Sequence, residues 1–513
     1  MAWMRAWVAV AALSGLAGPA AADELTDCLR TPEPTCLAGL ATDAARAMAQ
    51  PQLGVLSLST LAIQQAMAGD IDGARATMNA AQARSLQISM ADDRDMVRVW
   101  LAAGYAIAGD LIAAQGQATA IQEPTDGDEA MAAIVRGALR RGDMALAEHL
   151  LGSVGRNRMG SSRVLLAQAY GLAGDWDKAA AVAQGLLPRD RGRTAVWIAG
   201  TLAEQGRADA AAQRALALVD GEDLDAALAA IAVAMANRGD LNGAYYMAEG
   251  IPTAEARDTA LAALVGAFAR AGDFVAAEQR AAGIANAAAR RGVLALIAGA
   301  EVRGGDAAGA LALAGAGPDR MDRTQRLRAV ALAQAAAGDG VAALAAAARV
   351  EDVDRAAVLA EVAGVLLDAG DAVGARRALD RLTAEPAFAR ANAGLVRAVM
   401  TDYGRLGDGD RAIAIAQALP DSTARAEAFL DAAPAAAAAS PGVARRFVIL
   451  AEAAVVHGAA RGPGQGFDNE TAQRRLAIVL VRLGDAAEAA AVLNDLQPEA
   501  RFQALMELLT AAQ

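Results

Sequence analysis

Apolar residues recur at helical spacing on both sides of a regularly placed glycine. Eleven, eight and four residues before the glycine the side chains are mostly large, and seven residues before it they are small, as in Leu261, Leu264, Phe268 and Val265. The next unit has the same pattern in Leu294, Ile297 and Ala298, with Val302 near the last site. After the glycine, apolar residues continue in Phe274, Ala277, Ala281 and Ile284. Spacings of three and four place such residues on one helix face, so each unit is predicted to contain two amphipathic helices, a first and a second.

A glycine followed five residues later by alanine recurs twelve times along the chain. The glycines are Gly69, Gly109, Gly142, Gly174, Gly206, Gly239, Gly272, Gly305, Gly338, Gly370, Gly407 and Gly484. From Gly109 to Gly370 every step is 32 or 33 residues. The alanines are Ala74, Ala114, Ala147, Ala179, Ala211, Ala244, Ala277, Ala310, Ala343, Ala375, Ala412 and Ala489. A fixed period of this length indicates stacked helical hairpins.

Each position of the repeat has a physical reason. Glycine adopts a left-handed backbone at low cost and can therefore end the first helix. Aspartate usually follows and is expected to cap the second helix, as Asp143, Asp175, Asp240, Asp273, Asp306 and Asp339. The small alanine would let the two helices approach closely. Helices of about 12 to 15 residues are marginal alone, so the hairpins are expected to stack.

Between about residues 50 and 500 the chain resembles the tetratricopeptide repeat family, through the helix pair, the turn glycine and the alanine five residues on. The unit is shorter than the family's 34 residues, and family-type aromatics remain at Tyr105, Tyr170, Phe268 and Tyr403. The resemblance implies an all-α, right-handed superhelical α-solenoid of about 12 to 13 hairpins. It also implies a concave groove, lined by the first helices, that binds a protein or an extended peptide. The Lys and Asn of the family's carboxylate clamp are not arrayed here.

Five segments are expected along the chain. Residues 1–22 form a signal peptide, 23–50 an N-terminal disulfide-linked cap and 51–420 the regular repeats. Residues 421–470 form a degenerate repeat with an inserted loop from His457 to Asn469, and 471–513 the last repeat with a C-terminal capping helix. A cap is needed because a solenoid otherwise exposes its last apolar face.

The first 22 residues have the three parts of a secretory signal. A single charge at Arg5 precedes an uncharged stretch, and Ala20-Ala21-Ala22 offers a cleavage site before Asp23. The expected product is periplasmic or secreted and has no stable membrane insertion. Its only cysteines, Cys28 and Cys36, are then most simply a disulfide; a redox or metal pair would usually have closer spacing and a nearby histidine.

Charge and composition narrow the function further. The 513 residues carry a formal net charge of −12, which disfavours nucleic acid as a partner because phosphates require a basic face. The two histidines, His149 and His457, are far apart, and recurring aspartates are explained by helix caps. No catalytic residue, metal site or cofactor is therefore expected, and the protein is predicted not to be an enzyme.

Two features of the first helices bear on binding. The positions 13, 10, 6 and 3 residues before the glycine are expected to line the groove, as Ala226, Ala229, Val233 and Ala236, or Ala262, Gly266 and Ala269. Two residues before the glycine, arginine recurs as a candidate partner-binding rim at Arg140, Arg270, Arg303 and Arg405. The competing interpretation is that these arginines complement the helix dipole. A further arginine opens many first helices without an evident role, as Arg191, Arg257, Arg290, Arg323 and Arg355.

The sequence therefore predicts a non-catalytic, protein- or peptide-binding scaffold in the periplasm. Two alternatives remain open: an accessory protein associated with peptidoglycan, and an enzyme of unrecognised type. The first would favour aromatic platforms and paired carboxylates, whereas the chain has five tryptophans, two of them in the predicted signal.

Overall fold

The described residues of the computed structural model are 19–152, 156–388, 392–419, 422–459 and 469–513, and within these ranges the chain forms 29 α-helices and no strand. The first group of helices is α1 Pro19–Arg30, α2 Pro34–Ala47, α3 Pro51–Met67, α4 Ile71–Ser85, α5 Ala91–Ile107, α6 Leu111–Thr119, α7 Pro124–Arg140, α8 Met144–Leu151, α9 Arg156–Leu172 and α10 Trp176–Gln184. The second is α11 Pro188–Glu204, α12 Ala208–Leu218, α13 Gly221–Asn237, α14 Leu241–Glu249, α15 Ala254–Arg270, α16 Phe274–Ala281, α17 Ala287–Arg303, α18 Ala307–Gly315, α19 Arg320–Ala336 and α20 Gly340–Ala347. The third is α21 Asp352–Asp368, α22 Ala372–Ala384, α23 Ala393–Arg405, α24 Gly409–Ala416, α25 Ser422–Ala437, α26 Pro441–Ala459, α27 Asn469–Arg482, α28 Ala486–Asp495 and α29 Pro498–Ala512. The predicted all-α helical repeat is confirmed.

Helices α3 to α28 alternate along the chain as first and second helices, and the helices fall into two compact units divided after Gly104 and before Leu419. Unit 1 contains α1 to α4, most of α5 and α25 to α29. Unit 2 contains the repeats from Tyr105 to Ala418. Inside unit 2, successive first helices such as α11, α13 and α15 pack side by side, and each second helix from α8 to α24 packs on its own first helix.

The repeated glycine makes the turn that the sequence predicts. All twelve glycines have φ between 71° and 92°, a region that residues with a Cβ atom rarely adopt. The following aspartate caps the second helix in most hairpins; Asp273 Oδ1, for example, accepts from the Ala276 amide at 3.0 Å. Arg207 replaces the aspartate in one hairpin and makes no side-chain cap.

The recurring alanine is buried in every hairpin. All twelve are at most 1% exposed, and Ala277 lies in one apolar cluster with Leu261, Leu264 and Ile284. The prediction that this alanine is buried in the hairpin is confirmed.

The two helices of a hairpin differ in length more than expected. First helices from α3 to α21 each have 17 residues, whereas α8, α16, α20 and α24 have only eight. The expectation of 12 to 15 residues for both is therefore wrong. A first helix is packed by first helices of the repeats on both sides, which favours a longer element within the same period.

The arginine near the start of many first helices donates a hydrogen bond to the segment that connects it to the preceding repeat. Arg290 Nη1 donates to the carbonyl of Ile284 at 2.9 Å, and Arg355 Nε donates to that of Val350 at 3.0 Å. Each thus satisfies a carbonyl after the preceding second helix. Arg355 also pairs with Glu385 at 3.3 Å, an inter-repeat ion pair.

The N-terminal segment contains the expected disulfide, Cys28–Cys36, which joins α1 to α2. Within unit 1, α1 packs on α28 and α2 packs on α29. Residues 1–18 of the predicted signal peptide lie outside the described residues, as do residues 460–468 of the predicted inserted loop. In the part that is described, no helix has the length and apolar character needed to cross a membrane.

Candidate functional site

A groove runs over the first helices α17, α19 and α21 of unit 2. We call it the central groove; its volume is about 440 Å³. Its lining includes Leu296, Gly299, Arg303, Arg328, Leu332 and Val365. Leu296 is 43% exposed, although it is large and apolar. The groove therefore combines an apolar wall with two guanidinium groups.

The groove lining agrees with the predicted offsets at three of four positions: Gln325 stands 13 residues before its glycine, Ala295 and Arg328 stand 10, and Gly299 and Leu332 stand 6. Leu296, Gly299 and Arg303 stand 9, 6 and 2 residues before Gly305, and Gln325 stands 13 before Gly338. These offsets follow the four-three-four spacing of one helix stripe. The predicted position 3 residues before the glycine is instead buried, as at Ala236 and Ala269, because it faces the packed interior. The rim and the groove are thus parts of the same stripe.

Small residues line the bottom of the central groove and make it deep. Ala295 and Gly299 of α17 lie opposite Ala329 and Ala333 of α19. A Cβ atom added at Gly299 would lie 3.6 Å from the Ala329 carbonyl oxygen, which is an ordinary contact. The glycine therefore provides depth between the helices rather than relieving a clash.

Arg270 and Arg303 have the same local arrangement in neighbouring repeats. Each arginine lies four residues after a glycine, and its Nη1 lies 3.4 or 3.5 Å from where a Cβ atom of Gly266 or Gly299 would be. Each guanidinium therefore lies along its own helix, over the bare glycine. Arg270 Nη2 also donates to Asn237 Oδ1 at 3.0 Å, an interaction with a neutral group. Among the described residues neither arginine forms an ion pair.

Arg328, the second cation of the central groove, has a carboxylate partner. Its Nη2 lies 2.6 Å from Glu361 Oε2 on the neighbouring repeat. Glu361 offsets the positive charge of Arg328, so Arg303 supplies the uncompensated positive charge of the groove.

The structure separates the other two rim candidates from this pair. Arg405 Nη2 lies 2.5 Å from Asp368 Oδ1, and its Nη1 lies 3.6 Å from Asp402. Burial raises the pKa of the Asp402 carboxyl to about 6, an effect that Arg405 opposes. Arg140 is exposed at the end of α7, and Leu172, Glu204 and Asn237 occupy the equivalent positions between it and Arg270. Arg270 and Arg303 are therefore the two neighbouring candidates with uncompensated charge.

In unit 1 the same stripe carries large apolar side chains. Met67 on α3 is 67% exposed, and Met96 and Trp100 on α5 are 46% and 41% exposed. Sequence reasoning missed them, although strict counting from Gly69 and Gly109 places all three on the stripe.

A buried carboxyl group near the groove was also missed. Glu301 stands four residues before Gly305, a position expected to be apolar and assigned to Val302. It is 6% exposed, and its Oε2 has no hydrogen-bond partner. Burial, with smaller contributions from Glu278 and Asp306, raises the pKa of Glu301 to about 7.

In the described part of the chain, no group of three His, Cys, Asp or Glu side chains is placed to hold a metal ion. What the central groove can do chemically is bind: its apolar walls can accept an apolar side chain, and its free guanidinium can bind a carboxylate.

Comparisons with known proteins give no family. No protein-family model and no curated protein matches the chain. Among solved structures, Naa15/Naa10 bound to HypK-THB is 14% identical, with 89% of each chain covered and a TM-score of 0.29. The Cut9 chain of an APC/C hetero-tetramer, Cut9–Hcn1, is 12% identical, with 92% of this chain and 98% of that chain covered and a TM-score of 0.22. A human IFIT1 dimer with m7Gppp-AAAA is 11% identical, with 93% and 95% covered and a TM-score of 0.22. The helical-repeat fold stated above rests on the chain's own helices and glycine turns.

Proposed function

We propose that the protein is a non-catalytic scaffold that binds another protein, or an extended peptide, in the central groove. The observation that carries this proposal is the pair Arg270 and Arg303, two guanidinium groups without carboxylate partners on neighbouring repeats, of which Arg303 lines the central groove. The chain carries a net charge of −12, yet among the described residues neither guanidinium forms an ion pair, so both positive charges are open to a partner. The favoured partner segment carries acidic residues and at least one apolar side chain.

The energetics of such a contact favour specificity. Exposed charge pairs contribute about 0.2–1 kcal/mol each, and an apolar side chain that leaves water contributes about 25 cal/mol per Å² buried. The arginines would therefore select and orient an acidic segment, and Leu296, Leu332 and Val365 would supply most of the affinity.

Replacing both arginines tests the proposal. Arg270→Ala/Arg303→Ala is expected to leave thermal stability almost unchanged, because exposed helix-end charges contribute about 0.3–1 kcal/mol each. Affinity for an acidic partner is expected to fall about 2- to 30-fold, the effect of losing two exposed charge pairs. The measurement compares capture from a periplasmic extract, followed by titration of the identified partner at low and high salt, because screening weakens such contacts.

Arg75→Ala/Arg349→Ala is the matched control, since it removes two exposed arginines outside the stripe. Equal affinity of the groove variant, the control and the wild type would exclude the arginines from binding. Sedimentation of the protein with isolated peptidoglycan, independent of both arginines, would favour the wall-associated alternative.

We further propose that this scaffold works in the periplasm. Support comes from the Cys28–Cys36 disulfide, which forms readily in an oxidising compartment, and from the signal pattern of residues 1–22. Mass spectrometry of the protein expressed in a Gram-negative host is expected to find Asp23 at the N-terminus and a linked Cys28–Cys36 peptide in a non-reducing digest. A retained Met1, or two free thiols, would contradict this assignment.

A further inference from the structure

Each helix of a regular repeat packs on a fixed set of neighbouring helices. In a regular repeat, such as α11 with α12, the second helix packs on its own first helix and then on the first helix of the following repeat, here α13. Consecutive first helices also contact each other, as α15 and α17 do, and consecutive second helices touch more weakly, as α10 and α12 do.

Helix α29 has the contacts of a first helix. It packs on α27, the first helix of the preceding repeat, and more weakly on α28. Helix α29 also touches α3, the first helix of the first hairpin, through a hydrogen bond in which Gln64 Nε2 donates to Thr510 Oγ1 at 2.7 Å. In unit 1, α29 therefore contacts both α27 and α3, as a first helix between two others would, although Gln64 and Thr510 are 446 positions apart in the sequence.

Helix α2 has the contacts of a second helix. It packs extensively on α29, then on α3, and slightly on α4. These are the three contacts that a second helix makes with its own first helix, with the next first helix and with the next second helix. Its buried side carries Leu37, Ala41 and Ala45, all with no exposed surface.

We infer that α29 and α2 form one composite hairpin, a repeat whose first helix comes from the C-terminal part of the chain and whose second helix comes from the N-terminal part. The N-terminal cap of residues 23–50 and the C-terminal capping helix of segment 471–513, which the sequence analysis places at opposite ends of the chain, then complete each other. Each covers an apolar face that a terminal repeat would otherwise expose.

The disulfide strengthens this closure because it joins two helices with different contacts. Helix α1 packs on α28, the last regular second helix, whereas α2 packs on α29. Cys28 is in α1 and Cys36 is in α2, so the bond holds both helices against the last repeat. The two helices of the N-terminal segment are therefore packed, as one disulfide-linked pair, on the C-terminal helices α28 and α29.

Hydrogen exchange of the oxidised full chain tests the composite hairpin. Leu37→Ala leaves a cavity in α2 and is expected to accelerate amide exchange in residues 498–512 about thirtyfold, since buried Leu→Ala changes weaken the packing that protects a partner helix. The matched control is Leu379→Ala, at an equally buried site in α22, which should accelerate exchange in α21 and α22 but not in residues 498–512. Faster exchange confined to α2 and α3 in the Leu37→Ala protein would overturn the inference.

A cross-link gives a second measurement that does not depend on a destabilised variant. The Gln64→Cys/Thr510→Cys protein, with its native disulfide intact, is treated with a short bis-maleimide. Bridging within one chain is expected in most molecules, detected as a linked peptide pair in monomeric protein. Bridging only between two chains, or none in folded protein, would overturn the inference.

Discussion

Replacing Ala277 with leucine is expected to lower the free energy of unfolding by about 1–3 kcal/mol, because extra methylene groups must enter a filled core. Ala277 has no exposed surface and lies in a cluster with Leu261, Leu264, Val265 and Ile284. A larger side chain would separate α16 from α15 or force its neighbours from their preferred rotamers. The measurement is the urea midpoint, together with amide exchange in α15 and α16, which locates the damage.

Ala288→Leu is the matched control for this change. Ala288 is exposed in the first turn of α17, so the same enlargement should cost less than about 0.5 kcal/mol. If Ala277→Leu and Ala288→Leu unfold at the same urea concentration, alanine five residues after the glycine does not set the spacing of the two helices.

The features that sequence predicted are those decided within a few residues. Gly272 needs a left-handed backbone, Asp273 caps the helix that follows, and Ala277 fits the close helix pair; each requirement is local and recurs in most repeats. The Cys28–Cys36 disulfide could also be predicted, because a chain with only two cysteines allows only one pairing within itself.

The features that sequence missed depend on packing between repeats. The groove position nearest the glycine was placed one residue away because amphipathic spacing allows adjacent offsets, and only the packing of neighbouring first helices buries Ala269 while leaving Arg270 exposed. The roles of α2 and α29 rest on contacts between the two ends of the chain, such as Gln64 with Thr510, which no local pattern contains.

Glu301 is the clearest conflict between local pattern and environment. In other repeats its position holds Leu202, Phe268 or Tyr403, and in two it holds an amide, Gln65 or Gln334. Burial raises the pKa of the Glu301 carboxyl to about 7, with further increases from Glu278 and Asp306. A neutral carboxyl group is thus favoured at a site that other repeats fill with uncharged side chains.

This raised pKa links stability to pH. Below about pH 4.5 the carboxyl is protonated in both the folded and the unfolded chain, and its contribution to stability is fully present. Between about pH 4.5 and 7 the unfolded chain loses its proton first, so increasing pH favours unfolding. Above about pH 7 the contribution is lost, because the folded chain must then bury an ionised group.

Glu301→Gln is therefore expected to stabilise the protein by about 1–3 kcal/mol at pH 8, with a gain that disappears below about pH 4.5. The amide has the same shape as the carboxyl and stays neutral, and it places a donor near the carboxylates of Glu278 and Asp306. Urea unfolding at several pH values from 4.5 to 8 measures the gain. Glu278→Gln is the control: it removes one exposed negative charge near Glu301, so stability should still depend on pH, with the transition moved to lower pH. Parallel pH profiles of wild type and Glu301→Gln would show that Glu301 does not bind the proton.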